Sequence, residues 1–190
     1  MGFFRAIVTR FRRDTRGAAL IEFGLAFPIL LMLFVSGVEL TRFLLINQQL
    51  DKAANQVADL VTQLNSVTTG DLNNILSAMP ELVTGYSDAR SAQVVSIVRK
   101  NGANPPRVQD QYVGGGAIGQ GSKVGAIGGI ASINNFTMQP GDEALTVEVY
   151  YQYEPLLLPI IEWLELDITQ GQYLYKIAIF RPRLGALNSF

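Results

Sequence analysis

The stretch Ala18–Val38, AALIEFGLAFPILLMLFVSGV, constrains the chain most: 21 residues contain a single charge, Glu22. An α-helix rises about 1.5 Å per residue, so this run can cross a hydrocarbon core of roughly 30 Å. A helix satisfies its own backbone hydrogen bonds, which is what lipid demands of any segment that enters it. Pro28 is compatible with this reading, because membrane helices tolerate proline with a local kink.

Charge placement gives the run a direction. Residues 1–17 carry Arg5, Arg10, Arg12, Arg13 and Arg16 against one acid, Asp14, whereas the rest of the chain holds 10 bases and 15 acids. The overall charge of -1 hides this asymmetry. The positive-inside rule puts the basic end in the cytoplasm and the chain from Leu40 onward outside it. The chain has no cysteine or histidine. That excludes disulfides, thiolate nucleophiles, Cys/His zinc sites and His-based triads. Carboxylate-only metal or acid/base chemistry stays open.

A basic start before an apolar run also describes a secretory signal, but such signals have shorter apolar regions followed by a small-x-small cleavage site. Here the following sequence, ELTRFLLINQQLDKAANQVADLVTQL, keeps a helical period instead. Phe43, Leu50, Val57 and Leu64 recur every seven residues, with Ile46, Ala53 and Leu60 between them, and polar residues fill the other positions. The pattern predicts one helix over about Ala18–Leu64, apolar all round at first and amphipathic afterwards. Two uses are open to the stripe: packing on the chain's own globular domain, and packing on helices of neighbouring subunits.

These residues resemble a known family. Arg16-Gly17, the small Ala18 and Ala19, and Glu22-Phe23 at the fifth and sixth positions after Gly17 look like a prepilin-type signal, which is cut on the cytoplasmic side of the apolar run. RGAALIEFGLAFPILLMLFVSGVEL is most similar to the TadE-like pseudopilins of the tight-adherence (Tad, or Flp) pilus, and YLYKIAIFRPR resembles that family's C-terminal strand. The resemblance implies a minor pilin or pseudopilin rather than an enzyme. Gly17 would end the leader, and a prepilin peptidase would cut before Ala18. Glu22 would be the family's fifth-position glutamate. Phe23 stands where the major Flp pilins commonly carry tyrosine, a departure that suits a minor component. The implied partners are the membrane, the peptidase and other pilins of the system. No catalytic residue, cofactor, metal or nucleic acid is expected. The implied location is a bacterial inner membrane with the C-terminal domain periplasmic.

Physical chemistry gives Glu22 a reason of its own. A carboxylate in the bilayer costs roughly 2–4 kcal/mol on insertion scales, so such acids usually have partners. Cleavage after Gly17 would leave a cationic amine on Ala18, one turn from Glu22 and able to reach the Glu22 of a neighbour. Such an ion pair would offset desolvation and fix axial register. The plainer alternative is a Glu22 close enough to the interface to be partly hydrated.

Beyond Leu64, NSVTTGD ends the long helix, and Asp71 is the expected cap of a short helix that Pro80 interrupts. Ser91–Lys100 and Arg107–Val113 read as strands joined through Asn101-Gly102. In Ala144–Glu154, Leu145, Val147, Val149, Tyr151 and Tyr153 face one way, and Thr146, Glu148, Tyr150, Gln152 and Glu154 the other. Gln172–Arg181 is a fourth strand. The fold expected is a pilin-like α+β layout, a long N-terminal helix packed on an antiparallel sheet of about four strands. Its parts are a cleaved leader over 1–17, a membrane helix over 18–38, an amphipathic continuation over 39–64 and an extracytoplasmic domain over 65–190.

Three features remain. Gly114–Gly129 has eight glycines in 16 residues. Its Ser122-Lys123 order and glycine spacing fail both the phosphate-loop and dinucleotide patterns, so a mobile surface loop is expected. Pro155–Leu166, PLLLPIIEWLEL, is too short to span a membrane and reads either as core or as a patch for a partner subunit or the membrane surface. Glu162, Glu165 and Asp167 read as a solvated acidic edge. The rival classes are a signal-anchored envelope protein with a ligand-binding outer domain and a secreted soluble domain.

Overall fold

The computed structural model describes residues 16–64, 66–116, 118–134, 136–156, 173–183, 185, 187 and 190. The leader before Arg16, the Pro155–Leu166 stretch beyond Leu156, and Glu162, Glu165 and Asp167 lie outside the described residues. The long helix, α1 (Arg16–Thr62), is continuous and contains Pro28. The chain divides into two compact units, Met1–Arg42 and Phe43–Phe190.

In the first unit, every described side chain from Gly17 to Phe34 is exposed, and Leu25 reaches 76%. Phe23 and Phe27 lie one turn apart with ring centroids 5.6 Å from each other. Leucine, isoleucine and phenylalanine exposed on all sides of a helix have no stable place in water, whereas lipid accepts them on every face. From Gly17 onward, α1 is long and apolar enough to cross a membrane.

The second unit begins with the remainder of α1 and continues through α2 (Thr69–Leu76), α3 (Met79–Leu82) and a 3-10 turn at Asp88–Arg90. Four strands follow: β1 (Ser91–Arg99), β2 (Arg107–Gly114), β3 (Glu143–Gln152) and β4 (Tyr173–Phe180). They form one antiparallel sheet in the order β2-β1-β3-β4. The expected α+β layout is therefore present, with α1 packed on the sheet.

The packing follows from the sequence period. Ile46, Leu50, Ala53, Ala54, Val57, Ala58 and Val61 of α1 are buried in one cluster with Val95, Ile97, Leu145, Val147, Val149, Tyr151, Leu174 and Ala178 of the sheet. Three alanines on the buried face let the helix backbone approach closely, while Leu50, fully buried in the same cluster, is worth about 2–5 kcal/mol over alanine at such a site. Leu60, expected in the stripe, is 49% exposed. Val57, Ala58 and Val61 around it stay buried, so Leu60 lies off the buried arc: a strict seven-residue spacing drifts by about 20° per repeat against the 3.6-residue helix.

α2 is capped differently from the expectation. Thr68 is its N-cap; the Thr68 hydroxyl accepts from the Asp71 N–H, and the Asp71 carboxylate accepts from the Thr68 N–H at 3.0 Å. Asp71 thus closes a capping box from inside the helix. The Thr68 hydroxyl also donates to the Asp71 carboxylate at 2.6 Å, and this bond, followed by the one from the Thr68 N–H, holds the carboxyl below the usual carboxylate range.

Strand order explains the longest excursion. β1 and β2 form a hairpin turned at Gly102, whose positive φ of 60° suits a residue without Cβ. β3 pairs on the far side of β1, so the chain after β2 has to cross a face of the sheet. The described residues among 115–142 make that crossing on the face opposite α1. Val124, Ala131 and Met138 bury there against Val98, Val108 and Ala144, and Ile118 packs with Ala92, Val94 and Tyr150. The sheet is covered on both sides.

Candidate functional site

Helical backbone from Arg16 sets the geometry of the N-terminal site. Ala18 and Glu22, four residues apart, stand one above the other on one face. Gly17, Ala18, Glu22 and Phe23 are all exposed. The residues a turn away from Glu22, namely Ala18, Ala19, Leu25 and Ala26, carry no side-chain charge. A Cβ added at Gly17 would meet nothing within 4 Å. The chain's own packing therefore sets no requirement for glycine at that position.

A second constellation lies in the globular unit, where sequence alternation places only a polar face. Glu148 of β3 is fully buried. Its carboxylate accepts from the Lys123 N–H at 2.8 Å, the Tyr175 hydroxyl at 2.9 Å, the Tyr150 hydroxyl at 3.1 Å, and the Ser122 hydroxyl. Ser122 Oγ in turn accepts from the Val124 and Gly125 N–H groups at 3.1 and 3.3 Å. The Lys123 ammonium lies over the Tyr175 ring, 4.0 Å from its centroid. A buried carboxylate is expensive unless several donors satisfy it, and here backbone and hydroxyl donors converge on one group. A mobile surface loop is expected over Gly114–Gly129, yet Gly114 closes β2 and Ser122–Gly125 is fastened to the sheet through Glu148.

The two tyrosines beside Glu148 register that environment, and Tyr86, on the α1-facing side, is raised separately. Burial, then the facing Glu148 charge, raises the hydroxyls of Tyr150 and Tyr175 above the ordinary tyrosine range. Burial pushes Tyr86 up to about 12, from an ordinary value of 10.0. For a pKa raised on folding, stability is fully present below the unfolded value and is lost as pH rises through the folded one. These hydroxyls thus favour the folded state up to about pH 10, and for Tyr86 that contribution disappears towards pH 12.

Glycine is required at the base of this loop. Gly115 and Gly116 have φ of 65° and 50°, and a Cβ would run into the Gln93 side chain at the first and the Ser91 carbonyl at the second. Among the described residues, no group of three or more acids is placed to hold a metal ion.

An exposed apolar helix that turns amphipathic and packs on a four-stranded antiparallel sheet defines a pilin-like α+β protein. The family model described as TadE-like protein matches residues 17–59. Over that segment, which is the long apolar helix and most of its amphipathic continuation, the chain is similar to TadE-like proteins. No curated protein and no solved structure matches the chain.

Glu148→Ala should lower stability by about 3 kcal/mol or more, since it strands several buried donors. Hydrogen exchange should accelerate selectively across 118–125. Glu154→Ala, which removes a partly exposed ion pair with Arg90, should do much less. Equal losses in the two variants would show that the Glu148 network contributes nothing special.

Proposed function

We propose that the protein is a minor pilin or pseudopilin of a Tad/Flp adhesive pilus, processed by a prepilin peptidase after Gly17 and acting structurally in assembly. The observation that supports this best is the span of the family match. It opens at Gly17, where the leader would end, and runs through the apolar half of α1 to residue 59 in its amphipathic half. The leader over 1–17 stays cytoplasmic, 18–38 crosses the inner membrane, and 39–64 leads into a periplasmic domain over 65–190. The exposed apolar side chains of Gly17–Phe34 and the five preceding arginines favour this arrangement.

Processing would give Ala18 a cationic amine on the same helical face as Glu22. The side chains a turn from Glu22 supply no cation, so the amine of a neighbouring subunit is the natural counter-charge. In a dry bundle such a pair sets axial register between subunits. Phe23, adjacent and exposed, would pack against the neighbouring helix.

Gly17→Val, made in a host that carries the peptidase, should abolish the loss of 17 residues seen by mass spectrometry. The chain has space for the new side chain, so failed maturation would report the enzyme's subsite and not a folding defect. Normal maturation of this variant would count against the assignment. Glu22→Ala should insert and mature normally, yet recover roughly tenfold less of the other pilins after in vivo cross-linking, as loss of about 1.4 kcal/mol would produce. Unchanged recovery would remove the ion pair from the mechanism.

A further inference from the structure

The globular unit has two unlike ends. At one end β1 starts, β3 finishes and β4 starts, with Ser91 opposite Tyr151 and Gln152 opposite Tyr173. α1 enters the unit there, and the Phe43 ring packs edge-on against Tyr153 at 5.4 Å between centroids. Leu44, Leu45, Leu156 and Tyr173 are each about half exposed, at 47%, 48%, 52% and 46%. The opposite end is held by charge: Arg99–Glu143, Arg181–Asp142 and Arg183–Asp59 are ion pairs, and the Arg183 N–H donates to the Thr62 carbonyl where α1 finishes.

We propose that the first end is a lipid-contacting rim, seated in the interfacial layer of the bilayer that α1 crosses. The inference rests on the reading of α1 as a membrane helix. Continuity identifies lipid as the occupant: within one unbroken helix, Phe43 follows Val38 by little more than a turn, so the rim begins where the apolar run ends. The chemistry agrees. Leucines at this depth bury in the acyl boundary, and a tyrosine presents an apolar ring with a hydroxyl for the headgroups. The Arg90–Glu154 pair at this end has long side chains able to reach the polar layer while their stems stay apolar.

The cysteine-free sequence makes the test direct. Single cysteines are placed by Leu156→Cys, Tyr173→Cys, Ile127→Cys and Leu33→Cys in the full chain, labelled with a small fluorophore and reconstituted in phosphatidylcholine/phosphatidylglycerol vesicles. Lipids bearing a nitroxide near the headgroup or deep in the acyl chain serve as quenchers. Ile127 is the control, 60% exposed but in the turn that pairs with β2 near Arg107, at the opposite end. Labels at 156 and 173 should lose roughly half their emission to the shallow quencher, as expected for side chains about 5–10 Å into the boundary, with 127 unaffected. Strong deep quenching at 33 with 156 and 173 as bright as 127 would overturn the rim while leaving the membrane helix intact. The absence of deep quenching at 33 would overturn the membrane reading itself, and the rim with it. Labels at 156 and 173 shielded from both lipid and aqueous iodide would put protein on the rim and also overturn the proposal.

Discussion

The apolar face of α1 from Ile46 to Val61, pressed on Val95, Val147 and their neighbours, is the interaction on which the globular unit depends. It commits the second half of the helix to one buried side. The first half carries no such commitment, because its exposed leucines and phenylalanines are apolar in every direction. A single helix is therefore written in two patterns, and the change between them comes where Val38 gives way to Glu39, Thr41 and Arg42. Each pattern fits one solvent: lipid tolerates apolar groups all round, and water demands that they be gathered on a single face.

The sheet in turn needs a second cover. Its α1-facing side is apolar, but its other side carries Thr146, Glu148 and Tyr150 among valines, and all of these are buried. The crossing between β2 and β3 provides that cover and meets the polar groups with polar partners. Glu148 is the joint: hydroxyls of Ser122, Tyr150 and Tyr175 and one backbone N–H converge on it. A stretch too rich in glycine to form regular structure acquires a fixed path because a buried charge holds it.

Much of this is readable in the chain. The strands over 91–99, 107–114, 143–152 and 173–180 follow from alternation and turn residues, and α1 follows from its length and its sevenfold recurrence. Glu148 is not readable. Alternation reports which side chains share a face, and it is silent on whether a third layer covers that face, since the covering segment has no period of its own. Asp71 shows a finer failure, because an acid before a short apolar face signals a helix start without telling N-cap from N3. Leu60 belongs to the stripe by spacing and escapes burial because the 3.6-residue helical period carries it off the arc that Val57, Ala58 and Val61 bury. At the N-terminal site, the backbone sets the Ala18–Glu22 stacking, whereas the amine proposed to answer Glu22 would arise only on processing and assembly, which residue order does not display.

The claim that one helix meets two solvents is tested most directly by cysteine accessibility in intact cells. With Leu30→Cys and Gln56→Cys as single variants, a membrane-impermeant maleimide applied from outside, after the outer membrane is permeabilised, should label position 56 and spare position 30. A detergent-denatured control should label both. Labelling at position 30 in native membranes, or protection of position 56 from the outer side, would contradict a helix that is sheathed in lipid over its first half and wet on one face over its second.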